Sequence, residues 1–164
     1  MTGTAVSAVM RDTGLTHGGF YKHFESKNEL LLESLSEAFP EIVDRLVLAT
    51  EVSQPGMAWK AIVKTYLSQE HCNQPESWCP LTALAPELVR TDQEMKGQIF
   101  QELRNYKDYM LQFMPGRRFS DKERAFFVIF STMIGTIEIA RLLPEPEMRE
   151  KVLANARDFL LRSF

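Results

Sequence analysis

Apolar side chains return every three or four positions along most of this chain, the spacing of helices that bury one face. Val6, Val9 and Met10 form one short stripe behind a Thr4 cap, on a helix predicted to run to about Thr13. Leu31, Leu35, Phe39, Ile42 and Leu46 form a long stripe, opened at Ser26 and Glu29 by the S-x-x-E pattern of a capping box. Pro40 lies inside that stripe. A proline there removes one hydrogen bond and clashes with the preceding turn, at about 3 kcal/mol unless the helix bends, so a kink or break is expected between Ser36 and Pro40.

The pattern continues to the C-terminus. Trp59, Ile62, Val63, Tyr66 and Leu67 predict a helix from about Gly56 to His71, and the polar segment from Asn73 to Cys79, with Pro75, predicts a loop. Pro80 suits the first turn of a helix reaching about Arg90 and bent at Pro86. Thr91 and Glu94 read as a second capping box, ahead of Met95, Ile99, Leu103, Tyr106, Met110 and Phe113 at helical spacing, until Pro115 and Gly116 end the run. Ser120 and Glu123 are expected to cap the next helix, which is apolar nearly all round from Phe126 to Ile139 and so needs cover on both sides. A last helix opens after Pro144 and Pro146, with Met148, Val152, Ala156, Phe159 and Leu160 on one face. No strand pattern competes with these readings, and the predicted fold class is all-α.

Residues Gly14 to Leu30 add a different grammar. Gly14 can close one helix and swing the chain into a turn, Leu15 is an apolar plug, and Thr16 can cap a short helix to about Phe24. Phe20 and Phe24 share one side of that helix, leaving His17, Gly18, Gly19 and Lys22 at its start and outer side. This is a helix-turn-helix. The run GLTHGGFYKHFESKNELL resembles the recognition-helix region of TetR-family transcriptional regulators: a turn glycine, a short helix with a Phe-Tyr pair, an aromatic three residues on, and a lysine opening the following helix. The likeness is strong over about residues 4 to 35. Beyond, it rests on helix order and on CPLTALAPEL at Cys79 to Leu88.

The resemblance implies a helix-turn-helix DNA-binding domain over residues 1–35 and a ligand-binding and dimerisation body over 36–164. It also implies a helix ahead of Thr4 that would complete a three-helix head. The sequence does not contain one, so the head reads as truncated and its DNA affinity as reduced. Residues near the start of a recognition helix reach base edges in the major groove. Thr16, His17 and Gly18 take that place, while Tyr21, Lys22 and His23 suit phosphates. Lys27 opens a helix, where a cation opposes the dipole unless a phosphate is near.

Composition narrows the alternatives. A net charge of -3 confines any nucleic-acid contact to a local patch. Two cysteines, with no signal-peptide pattern and no apolar run judged long enough to span a bilayer, lead to the expectation of a cytoplasmic protein without membrane contact. His71, Cys72 and Cys79 match no standard metal-ligand spacing; the two cysteines are read as structural, with a disulfide or redox switch as the other reading. No paired carboxylates, activated serine or phosphate loop stands out, so neither catalysis nor a cofactor is expected.

Trp59, Tyr66, Phe100, Tyr106, Met110 and Phe130 are candidate walls of a ligand pocket, since aromatic and methionine side chains suit an apolar small molecule. Glu138 is a pocket anchor or a polar spot on a dimer rim. Phe127, Ile134, Gly135, Phe159 and Leu160 are candidates for a dimer interface in which the last two helices of each chain pack about a two-fold axis. The resemblance implies as partners a palindromic double-stranded DNA operator, a small-molecule inducer and a second copy, and as role a repressor. The contrasting reading is a dimeric all-α ligand-binding or interaction module without DNA binding. A small helical enzyme is the remote one.

Overall fold

The computed structural model describes residue 19 and residues 21–75 and 79–164, and among these the secondary structure is helical with no strand. The predicted helix of residues 4–13 and most of the recognition helix, including Thr16, His17 and Gly18, lie outside the described residues. Seven α-helices follow in order: α1 Lys27–Leu48, α2 Ala58–Tyr66, α3 Gln69–Asn73, α4 Pro80–Leu88, α5 Gln93–Met110, α6 Phe119–Leu142 and α7 Pro146–Ser163. A 3-10 turn, Leu111–Phe113, links α5 to the approach of α6. α6 is the hub. It packs on α7, α4, α3, α2 and the 3-10 turn, while α1 lies against α5, α2 and α4.

Helix starts follow capping chemistry with small shifts from expectation. The Ser26 hydroxyl accepts from the Glu29 N–H at 3.1 Å, and the Glu29 carboxylate accepts from the Glu25 N–H. Asp92, not Thr91, caps α5, its carboxylate accepting from the Met95 N–H at 2.8 Å. The start of α6 is set by Asp121, whose carboxylate accepts from the backbone and guanidinium of Arg118, rather than by Ser120 and Glu123. In both corrections an aspartate next to the expected serine or threonine supplies the stronger, charged acceptor.

Pro40 does not break α1, which is helical on both sides of it. The buried stripe Leu31, Leu35, Phe39, Ile42 and Leu46 continues across the proline, so both halves keep the same face to the core. Ser36 and Pro40 are exposed. The carbonyl that loses its donor therefore stays within reach of water, which softens the cost of the proline.

The helix expected from Gly56 to His71 is two helices. Leu67 leaves helical geometry, and Ser68 takes an extended conformation and caps α3 by accepting from the His71 N–H. Side chains occupy the carbonyls freed at the break. His71 Nδ1 donates to the Tyr66 carbonyl at 2.7 Å, which puts the ring proton on Nδ1, and Arg157 of α7 donates to the Leu67 carbonyl at 2.9 Å. Arg141, in the last turn of α6, then reaches across: it donates to the His71 and Cys72 carbonyls at 2.9 and 3.2 Å and to the Thr82 hydroxyl at 2.9 Å. One planar cation thus ties α3, α4 and α6 together.

Within the single chain α6 is covered on one side only. Ile129, Met133, Ile137 and Ala140 are fully buried, but Phe127, Val128, Ile139 and Leu142 are exposed in the single chain. By length and composition α6 could cross a bilayer, contrary to the sequence reading; 44% of its apolar window is buried against the other helices.

Three stability outcomes follow from this packing. Burial lowers the His71 pKa from 6.5 to about 4, reinforced by Arg141 and Arg45 and partly opposed by the bond to Tyr66. The unfolded chain takes up a proton below pH 6.5 that the folded chain refuses, so stability is lost as pH falls through that window: about 2 kcal/mol from pH 7 to pH 5. Urea midpoints of the native chain should drop over this range more steeply than those of His71→Gln, and parallel curves would contradict the assignment. Gly116 has φ of 130°, and an added Cβ would meet the Asp121 Cβ at 2.8 Å and the Lys122 nitrogen at 2.9 Å. Gly116→Ala should therefore cost about 1–3 kcal/mol. Gly97 is exposed within α5 with nothing near an added Cβ, so Gly97→Ala should raise stability by about 1 kcal/mol. The same denaturation series reads both.

Candidate functional site

The chain before α1 presents a polar turn. Tyr21, Lys22 and His23 are exposed, and the Lys22 N–H donates to the Gly19 carbonyl at 3.3 Å. Phe24 is half-buried beside the His23 ring, at 6.5 Å between centroids. Lys27, the first residue of α1, shares a cleft of about 190 Å³ with Arg90, Glu87 and Thr91 from the end of α4 and the turn after it. Asn28 reaches Asp92 at 3.4 Å across the same junction. Arg90 is the residue that sequence reading missed here. It is far from Lys27 in the chain, and only the packing of α4 beside α1 makes them neighbours.

A cavity of about 620 Å³ opens between α5 and α6, with Leu81 of α4 at one side. On α5, Phe100, Leu103, Arg104 and Lys107 recur at helical spacing, with Tyr106 beside them; on α6, Glu123, Phe126, Phe127, Phe130, Ser131 and Ile134 do the same. Phe126 and Phe130 stack at 4.5 Å, and Tyr106 stands edge-on to Phe130 at 5.4 Å. Phe100 and Phe127 are 63% and 54% exposed, so one large ring on each helix flanks the opening. Lys107 donates to Glu123 at 2.7 Å and pairs with Asp108 at 3.1 Å. Those two carboxylates hold its pKa above the ordinary lysine value, Glu123 foremost. The Arg104 side chain makes no hydrogen bond or ion pair among the described residues.

Three of the expected pocket residues therefore line this cavity: Phe100, Tyr106 and Phe130. The other four lie elsewhere. Trp59 is buried against Phe164, at 6.1 Å between rings, and Met110 is fully buried in the core. Tyr66 is fully buried, edge-on to the His71 ring at 4.3 Å, and Phe130 stands between it and the cavity's other rings. Glu138 is half-exposed on α6 and faces Arg141 at 3.6 Å. Phe127 and Ile134, expected at a dimer surface, are cavity walls. The apolar stripe of α5 was visible in the sequence, but not that Phe100, Arg104 and Lys107 beside it face α6.

Behind the cavity, burial dominates the ionisable groups. It raises the pKa of Tyr66 and Tyr106 well above the usual phenol value, with Cys79 adding to the effect in both, and it raises the thiols of Cys72 and Cys79. The Tyr106 hydroxyl has no hydrogen-bond partner among the described residues. Cys79 sits at the N-cap of α4, yet desolvation outweighs the helix terminus and leaves a protonated thiol at neutral pH. Both cysteines are free. Among the described residues, no group of three His, Cys, Asp or Glu is placed to hold a metal ion.

The outer surface of α6 and α7 carries the remaining candidates. Phe127, Val128, Ile139 and Leu142 are exposed, Ile134 and Gly135 are half-buried, and no atom lies within 4 Å of a Cβ built on Gly135. On α7, Met148 and Phe159 are exposed on the same side as the half-buried Val152. Leu160 is a correction: it is fully buried within the chain and faces the core, one residue round the helix from Phe159. No protein-family model and no curated protein matches the chain.

Proposed function

We propose that this chain is a TetR-like transcriptional regulator: a helix-turn-helix head over residues 1–35 and a ligand-binding, dimerising body over residues 36–164. In this reading it works in the cytoplasm as a homodimeric repressor of a palindromic operator. The observation that carries the reading is the Gly14 to Leu30 motif, which includes an exposed Tyr21, Lys22 and His23 turn ahead of α1. Lys27, which opens α1 after that turn, shares a cleft with Arg90 and Glu87, and the cleft's two cations against one carboxylate support a phosphate contact from an otherwise acidic chain.

The body offers a means of response. The Tyr106 ring lines the cavity and also packs on Phe39 of α1 at 5.3 Å, so the helix that leaves the head touches a cavity wall directly. A small molecule that favours one placement of α1 would shift the spacing of two heads, by no more than its differential affinity for the two states. The exposed apolar strip on α6 and α7 is the surface such a dimer would bury. The cavity also supports a second reading, a dimeric ligand-binding module without DNA binding, because the cavity stands independently of the head.

Gel shifts on the protein as its host makes it separate the two. Lys22→Ala should weaken binding to matched and scrambled operators alike and reduce the salt slope by about one. His17→Ala should change the preference between them, at about 1–3 kcal/mol for the affected base. If neither substitution has an effect, the ligand-module reading replaces the regulator.

A further inference from the structure

We propose that the cavity between α5 and α6 takes a flat aromatic carboxylate, with its rings among Phe126, Phe127 and Phe130 and its anionic group on Arg104. The inference deepens the ligand-responsive reading of the body and rests on it, but not on DNA binding.

The walls define the shape of the guest. At about 620 Å³ the cavity falls within the usual size of small-molecule sites. Its inner wall is a stacked pair, Phe126 and Phe130, and Phe100 and Phe127 leave large areas open at the mouth from opposite helices. Rings that show faces and edges to one space favour a planar aromatic guest over a branched aliphatic one, because offset stacking and edge contacts are both available.

Charge selects the other end of the guest. The cavity shares Arg104, Lys107 and Glu123 with a neighbouring groove that adds Lys122 and Asp108. Three cations thus face two carboxylates, an excess of one positive charge. Both carboxylates are already engaged, since Glu123 and Asp108 pair with Lys107. A cationic guest would find no free carboxylate. Arg104 is exposed and its side chain is unpaired among the described residues, so its fork is open to a carboxylate, while a neutral guest gains no charge-assisted bond there. A carboxylate completes the set, because the arginine fork offers two parallel donors to its two oxygens.

Isothermal titration of the full chain at neutral pH with 4-biphenylacetate and with its primary amide tests this, since the pair shares shape and differs in charge. The acid should bind at least about tenfold tighter than the amide. Arg104→Gln should bring that ratio to about one, chiefly by weakening the acid. Phe127→Leu, at an exposed position, should weaken both compounds several-fold and keep their ratio. Equal binding of acid and amide to the native chain, an unaltered ratio in Arg104→Gln, or no heat from either compound at concentrations up to about 1 mM would overturn the proposal. No DNA is present, so these outcomes are independent of the gel shifts: an acid preference can stand where operator binding fails, and the reverse.

Discussion

Arg141 decides how the second half of this chain is put together. Its side chain, 16% exposed, satisfies two carbonyls at the end of α3 and the hydroxyl of Thr82 in α4. Short helices of this kind have little stability of their own, because their first and last turns leave backbone groups unpaired. α3 has five residues and depends on outside partners for its ends. Ser68 closes the start and Arg141 the finish, while His71 turns back to the Tyr66 carbonyl. Removing the arginine would leave buried carbonyls without donors, which costs more than the bonds themselves contribute. The position of α4, and with it the Leu81 side of the cavity, follows from this contact.

α6 serves three surfaces at once, and that explains its composition. One face, with Ile129, Met133 and Ile137, is core; a second, with Phe126 and Phe130, is cavity wall; a third, with Val128, Ile139 and Leu142, lies open. A helix with so little polar surface would be a liability on a monomer. The residues at the seams are the informative ones. Phe127 and Ile134 belong to the cavity and border the open strip, so in the proposed dimer a second copy would lie close to the cavity mouth.

The helices were legible because most of them are amphipathic, and Leu31 through Leu46 or Met95 through Met110 announce a buried face whatever they pack against. What was lost came from non-local partners. The break at Leu67 is invisible to periodicity, since Trp59 to Leu67 and His71 fit one helix; it is stabilised by Arg141 and Arg157, which lie far along the chain. Pro40 leaves the helix unbroken, because its cost depends on whether the freed carbonyl meets water, which the pattern of the sequence does not tell. For the site, residue type was a fair guide to Phe100, Tyr106 and Phe130. It could not separate them from Trp59, Tyr66 and Met110, which are equally apolar and fill the core instead. Arg104 and Lys107 escaped notice because a charged residue on an amphipathic helix usually faces water, and only the opposing stripe of α6 turns them into a rim.

The proposed response to a ligand needs a physical link between cavity and head, and two links of unequal strength exist. Asn28 and Asp92 meet at 3.4 Å on the surface, at the long limit of a hydrogen bond and open to water. A contact of that kind transmits little. The Phe39 and Tyr106 rings are both buried, 5.3 Å apart, and Tyr106 is at the same time edge-on to Phe130 in the cavity wall. Close-packed rings cannot give way continuously, so a guest that displaces Phe130 or Tyr106 must move Phe39 or be refused. Phe39 directly precedes Pro40, where α1 already lacks one backbone hydrogen bond and bends at lower cost than elsewhere. The weak point of α1 thus lies beside the ring that a ligand would press, which makes the aromatic chain, rather than the surface contact, the route by which the body could re-aim the head.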